Sequence, residues 1–166
     1  MIQRVIDARS GIGRRSVCKG DFAMTGFWRN WFLIWCLSIG LFGALLAGGA
    51  FEATSGPVRM VLSLLRGPVQ HEFDPTLRFS LAVMGAVSIG WAVTLYFIVR
   101  AAIARGSSAR PLWDAISAGM VSWFLIDSTL SVATGFGLNV LPNVLLAGLY
   151  VVGLVGSGAL KAGHPA

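Results

Sequence analysis

FSLAVMGAVSIGWAVTLYFIV, residues 79–99, is the stretch whose reading decides the fold. It carries no charged side chain, and its length matches the ~20 residues a helix needs to cross ~30 Å of hydrocarbon. Apolar and polar residues do not alternate along it, which argues against a half-buried strand. Inside a bilayer every backbone N–H and C=O must be satisfied by the protein, and a helix does this within one segment. The stretch therefore predicts a transmembrane helix.

Working outward, three more segments have the same character: Trp28–Ala50, Leu112–Phe136 and Leu138–Gly158. Composition agrees. The 166-residue chain is 55% hydrophobic and only 12% charged, about half the soluble norm of ~25%. Its mean hydropathy is +0.74. A soluble domain of this apolar mass would lack the charges to cover its surface. The expected fold class is an all-α integral membrane protein, a four-transmembrane-helix bundle over residues 27–158 with a short interfacial amphipathic helix in its first external loop. A basic, Gly- and Ser-containing N-terminal tail (1–26) and a short C-terminal tail (159–166) flank it. The tail lacks apolar periodicity and reads as disordered. Met24, just before the first segment, is an alternative start of translation. LAGGA before Phe51 also fits a cleavable signal peptide, but the apolar run is longer than a signal core of 7–15 residues. Trp28, Trp31 and Trp35 near its start fit an interfacial aromatic belt on a permanent helix.

The formal net charge of +6 is unevenly placed. Arg4, Arg9, Arg14, Arg15 and Lys19 precede the first segment, and Arg100, Arg105 and Arg110 flank one short loop. Basic residues bordering apolar runs speak for topology rather than nucleic-acid binding. By the positive-inside rule both termini and the 100–110 loop lie in the cytoplasm of an inner membrane. The partners expected are the lipid bilayer and a homo-oligomer or larger membrane complex, with no nucleic acid. No cofactor or metal is expected. Cys18 and Cys36 lack metal-type spacing, and His71 and His164 are the only histidines, too few for a multi-histidine centre.

Between the first two segments, PVRMVLSLLRG places Arg59, Ser63 and Arg66 on one helical face and Val58, Val61, Leu62 and Leu65 on the other. Pro57 and Gly67-Pro68 bound it. This is a membrane-hugging connector, with a lid or docking helix as the functional alternative. In HEFDP, Asp74-Pro75 is set to start the next helix. Small residues that let membrane helices approach recur as Gly40/Ala44/Gly48, Ala82/Ala86/Gly90 and Gly148/Gly156.

One acid stands inside an apolar segment. In WFLIDSTLSVATGF, residues 123–136, Asp127 shares a helical face with Trp123, Ser131 and Thr134. It lies about 22 Å along its helix from Leu112 at 1.5 Å per residue. A buried unpaired carboxylate is costly, so partners are expected nearby. The candidates are Arg78 at the start of the second segment and Asn139 and Asn143 at the start of the fourth. The expected constellation is thus Asp127, Arg78, Ser131, Thr134, Asn139 and Asn143, either a clasp fixing helix register or a proton or ligand site. Asp114, after Pro111, is expected to serve the helix dipole and to be neutralised by Arg105 and Arg110.

No phosphate loop, nucleophile elbow or paired-acid motif is present, so no catalytic residues are assigned. The leading expectation is an accessory or scaffold subunit of a membrane complex. The alternative is a small oligomeric transporter or channel with Asp127 as its intramembrane binding group.

Overall fold

The structure is a computed structural model that describes residues 24–66 and 72–160. The basic tail, the Met24 alternative's upstream residues, Cys18, His71 and the C-terminal residues from 161 lie outside the described residues. About nine-tenths of the described residues are helical, and none is in a strand. The α-helices are α1 (Gly26–Ala47), α2 (Gly56–Arg66), α3 (Pro75–Arg105), α4 (Arg110–Ala133) and α5 (Val140–Ser157). Short 3-10 turns link them at Gly48–Ala50, Glu52–Thr54, Gly106–Ala109 and Gly137–Asn139.

Three helical runs are long and apolar enough to cross a membrane: Gly26–Ala50, Pro75–Ala133 and Gly137–Ser157. The middle run joins the second and third segments expected from the sequence through the Gly106–Ala109 turn. It is folded back on itself. Trp91 on α3 and Trp123 on α4, nearly equidistant from that turn, pack with tilted rings whose centroids are 5.7 Å apart.

Local chemistry sets the helix ends. Asp74 caps α3, its Oδ1 accepting from the Leu77 N–H at 2.7 Å, and Pro75 occupies the first helical position, where no N–H is needed. At its other end α3 outruns the expected Phe79–Val99 by six residues, because nothing breaks the helix until Gly106, which adopts φ +54°. Asp114 falls in the second turn of α4 rather than the first, since the helix begins at Arg110. There it pairs with Arg110, Nε to Oδ1 at 2.8 Å, so a side-chain partner replaces the dipole role expected of it.

α1 and α3 form the most extensive interface. Buried residues recur at threes and fours on both helices: Phe32, Trp35, Cys36, Ile39, Gly43 and Leu46 on α1, and Leu81, Gly85, Ala92, Leu95, Val99 and Ala102 on α3. This is the spacing of an antiparallel coiled-coil seam. At its tightest point backbone meets backbone. A Cβ on Gly85 would stand 2.4 Å from the Ala47 amide nitrogen and 2.6 Å from the Gly43 carbonyl oxygen. One on Gly43 would stand 2.9 Å from the Ile89 nitrogen. The sequence stripes miss this point. A Cβ on Gly90 or Gly148 would meet nothing within 4 Å, and one on Gly40 would make only ordinary contact with Ala92.

On its other side α1 faces α5 through tryptophans. The Trp31 indole N–H donates to the Leu149 carbonyl at 2.9 Å and that of Trp35 to the Leu146 carbonyl at 3.0 Å. Gly153 and Gly156 make room: a Cβ there would collide with Phe32 and Trp31, and with Trp28 at 2.2 Å. The aromatic belt expected of Trp28, Trp31 and Trp35 is therefore a packing device, because the glycines of α5 draw the indoles inward. α4 closes the core, with Trp113 4.8 Å from Phe32 and Ser117 Oγ 2.9 Å from the Tyr150 hydroxyl.

The Gly85 contact yields a test. Gly85→Ala forces a backbone shift and should cost about 1–3 kcal/mol, the range for overpacking. Gly90→Ala, in open space, should be neutral or stabilising by up to about 1 kcal/mol through helix propensity. Equilibrium unfolding in mixed micelles, followed by helical circular dichroism, compares the two. Equal effects would remove the close approach as a determinant of the fold.

Candidate functional site

The polar constellation forms between α4 and α5 near their shared turn. Asp127 stands six residues before the end of α4, about 9 Å from it along the axis. Ser131 follows one turn later on the same face. Thr134, Gly135 at φ +83° and the 3-10 turn Gly137–Asn139 reverse the chain into α5. That reversal sets Asn139 and, one helical turn on, Asn143 opposite Asp127.

Both amides converge on one carboxylate oxygen. Asn139 Nδ2 donates to Asp127 Oδ2 at 2.9 Å and Asn143 Nδ2 to the same oxygen at 2.6 Å. Asn139 also donates to Ser131 Oγ at 2.9 Å, and Asn143 to Ser128 Oγ at 3.2 Å. Asn143 is buried, Ser131 nearly so, and Asp127 half-buried. Ser128 belongs to this network although the sequence reading passed over it. It stands one residue beyond Asp127, and its Oγ accepts from Asn143.

Two expected members stand elsewhere. Thr134 turns its hydroxyl to its own helix, donating to the Leu130 carbonyl at 2.8 Å, and so finishes α4. Arg78 does not pair with Asp127. Its guanidinium is hydrogen-bonded to Glu52, and its Nε donates to the Phe73 carbonyl at 3.0 Å. Each acid is met by the nearest chain. Asp127 takes the amides its own hairpin folds back onto it, and Glu52 lies on the connector that packs over the start of α3.

Glu52 thereby centres a second cluster that the sequence reading did not single out. Arg59 on α2 bonds both its oxygens at 3.0 and 3.2 Å, and Arg59 Nε donates to Ser55 Oγ at 3.1 Å. The Arg59 guanidinium lies 4.3 Å over the Phe73 ring and that of Arg78 5.8 Å from it. Beneath these charges Val58, Phe73, Leu46 and Leu81 form a small apolar core. The Val/Leu face of α2 is thus seated on the ends of α1 and α3. At the far end of α2, Arg66 lies 5.1 Å over the Phe136 ring and reaches the turn that carries the Asp127 network. The only sequence signal for this cluster was a lone acid, Glu52, seven residues before Arg59 at helical spacing.

The hydrogen bond from Arg78, with the nearby charge of Arg59, holds the Glu52 carboxyl below the usual carboxylate range. Among the described residues, no group of three or more His, Cys, Asp or Glu side chains gathers as a metal site. Comparison with protein-family models, with curated proteins and with solved structures finds no match for this chain.

Two measurements follow from these clusters. A double-mutant cycle of Asp127→Ala with Asn143→Ala should give a coupling of about 1 kcal/mol, within the span for interhelical polar bonds in membranes. The same cycle with Arg78→Ala should be additive to within about 0.5 kcal/mol. Coupling of Asp127 to Arg78 instead would restore the ion pair read from the sequence. For Glu52, whose folded pKa is depressed, the paired carboxylate stabilises the fold above pH ~4.5, and this is lost as pH falls through the lower folded value. The stability gap between wild type and Glu52→Gln should therefore be present at pH 7 and close on acidification below ~4.5. A gap that is constant with pH would show that the pairs do not stabilise the connector.

Proposed function

We propose that the chain crosses a membrane four times and serves there as a non-catalytic accessory or scaffold subunit of a larger complex. Length supports four crossings. The Pro75–Ala133 run has 59 residues, enough for two passes of ~20, and it already turns back at Gly106–Ala109. The outward surfaces support the same reading. In the most apolar 18-residue stretch of each of the three runs only 39%, 22% and 22% is buried within the chain, which leaves the rest for lipid or partner helices to cover.

Charge gives the orientation. Arg29, Arg100, Arg105 and Arg110 gather with one described acid, Asp114, at the end bearing the Gly106–Ala109 turn. Arg59, Arg66 and Arg78 at the other end are matched by Glu52, Glu72 and Asp74. The unmatched cations support a reading in which the first end faces the cytoplasm of an inner membrane, with both termini on that side. The interfacial connector α2 then lies on the external face.

The observation that carries the scaffold reading is the amide-held carboxylate of Asp127. The one acid deep in the apolar region is engaged in joining α4 to α5. What the helices present outward, including Ile34, Leu41, Val87, Leu125, Leu145 and Val155, is apolar. A chain organised in this way offers packing surface rather than chemistry.

Proton flux in proteoliposomes separates this reading from the transporter alternative. Wild type and Asp127→Asn should dissipate an imposed pH gradient no faster than empty vesicles. Flux in the wild type that Asp127→Asn abolishes would make Asp127 a proton-binding group and replace the scaffold with a small oligomeric transporter.

A further inference from the structure

On the outer side of the α1–α3 seam lies a groove of about 570 Å³, a volume typical of small-ligand sites. Its α1 wall runs through Leu33, Cys36, Leu37 and Gly40, and its α3 wall through Ile89, Ala92, Val93, Tyr96 and Phe97. The walls converge where Gly40 meets Ala92, just before the backbone contact at Gly43 and Gly85. Toward the opposite end each wall continues into an arginine. On α1, Arg29 stands one turn before Leu33. On α3, Arg100 stands one turn after Tyr96 and on the azimuth of Ile89, Val93 and Tyr96. The helices are antiparallel, so both arginines lie at the same end of the groove.

These cations are exposed and have no acidic partner among the described residues. Arg100 is held at the mouth by a residue of the groove itself. Its Nη1 bonds the Tyr96 hydroxyl at 3.2 Å, and its guanidinium lies 5.6 Å from the Tyr96 ring centroid. A long apolar slot that ends in two unpaired guanidiniums has the charge and polarity of one class of molecule. We propose that the groove is a binding site for an anionic glycerophospholipid of the cytoplasmic leaflet, one acyl chain lying between α1 and α3 and the phosphate bridging Arg29 and Arg100. Basic residues at the cytoplasmic ends of membrane helices recognise anionic headgroups in this way. The inference rests on the membrane reading above, and it adds to that reading a ligand class and the residues that select it.

Native mass spectrometry of the full chain, extracted in mild detergent and titrated with phosphatidylglycerol or phosphatidylcholine, provides the test. Phosphatidylglycerol should be retained about twenty-five-fold more tightly, about fivefold for each arginine. Arg29→Gln and Arg100→Gln should each remove about fivefold, and the double variant should abolish the preference while keeping its helical circular dichroism. Val93→Trp, which fills the groove from an exposed position, should reduce retention of both lipids. Equal retention of the two lipids by wild type, or an unchanged preference in the double variant, would overturn the site. So would undiminished binding in Val93→Trp, or displacement of the lipid by a second copy of the chain. The membrane reading fails on a separate result, release of the chain from membranes by alkaline carbonate.

Discussion

The approach of α1 and α3 at Gly43 and Gly85 is the constraint on which the other contacts depend. Each glycine admits the facing backbone because it lacks a Cβ: Gly85 stands against Ala47 and the Gly43 carbonyl, and Gly43 against Ser88 and Ile89. Once the azimuth of α1 is fixed by that contact, the positions of its aromatic side chains follow. Phe32 and Trp35 are buried in the core and Trp31 points to α5. α5 accepts them because Gly153 and Gly156 leave hollows one turn apart. α4 then fills the remaining side through Trp113, Ile116 and Met120.

The indole bonds of Trp31 and Trp35 belong to the same logic. Their acceptors, the Leu149 and Leu146 carbonyls, lie within α5, where each oxygen already serves the helix and still has a second lone pair. A buried indole N–H must find such an acceptor. The acceptors are spaced three residues apart on α5 and the donors four apart on α1, so two helices packed antiparallel bring both pairs into register. Packing and polar satisfaction thus act on the same residues, and a rotation of α1 would break both.

Much of this was legible in the sequence, and the parts that were not share one cause. The long apolar segments, the Asp74-Pro75 start of α3 and the amphipathic α2 follow from composition and local chemistry, which act within a few residues. Four members of the Asp127 constellation follow from helical spacing on either side of a short turn. Among the contact glycines Gly156 stood in a sequence stripe, but Gly43, Gly85 and Gly153 did not. Stripes of small residues repeat around these helices, and Gly40, Gly90 and Gly148 fit the pattern as well as Gly43, Gly85 and Gly153 do. Which stripe becomes the interface depends on the partner's azimuth, a property of the whole assembly. The same holds for Trp35, whose place near one end of its helix suits an interface anchor as well as a core residue. Arg78 was misassigned for a related reason. Its acid is fixed by where the Glu52 connector folds, and that loop has no periodicity to read.

The contrast between the two carboxylates explains why each has its partners. Glu52 is exposed, and two arginines reach it, Arg59 from α2 and Arg78 from the start of α3. Asp127 is half-buried among apolar helices, and an arginine drawn to it would have to shed its own hydration as well. Primary amides bring partial positive charge without a second ion to desolvate. They also come from fixed positions on α5, one helical turn apart, whereas a long arginine stem must be immobilised at an entropic cost. An amide-held carboxylate is therefore the less costly way to keep an acid at this depth. It gives directionality: Asn139 and Asn143 accommodate Oδ2 at one relative height of α4 and α5, and a shift of one turn would leave the carboxylate without donors. The acid is tolerated in the apolar region because it sets the register between these two helices, and the connector α2, anchored at Glu52 and reaching Phe136 through Arg66, ties that register to the α1–α3 seam.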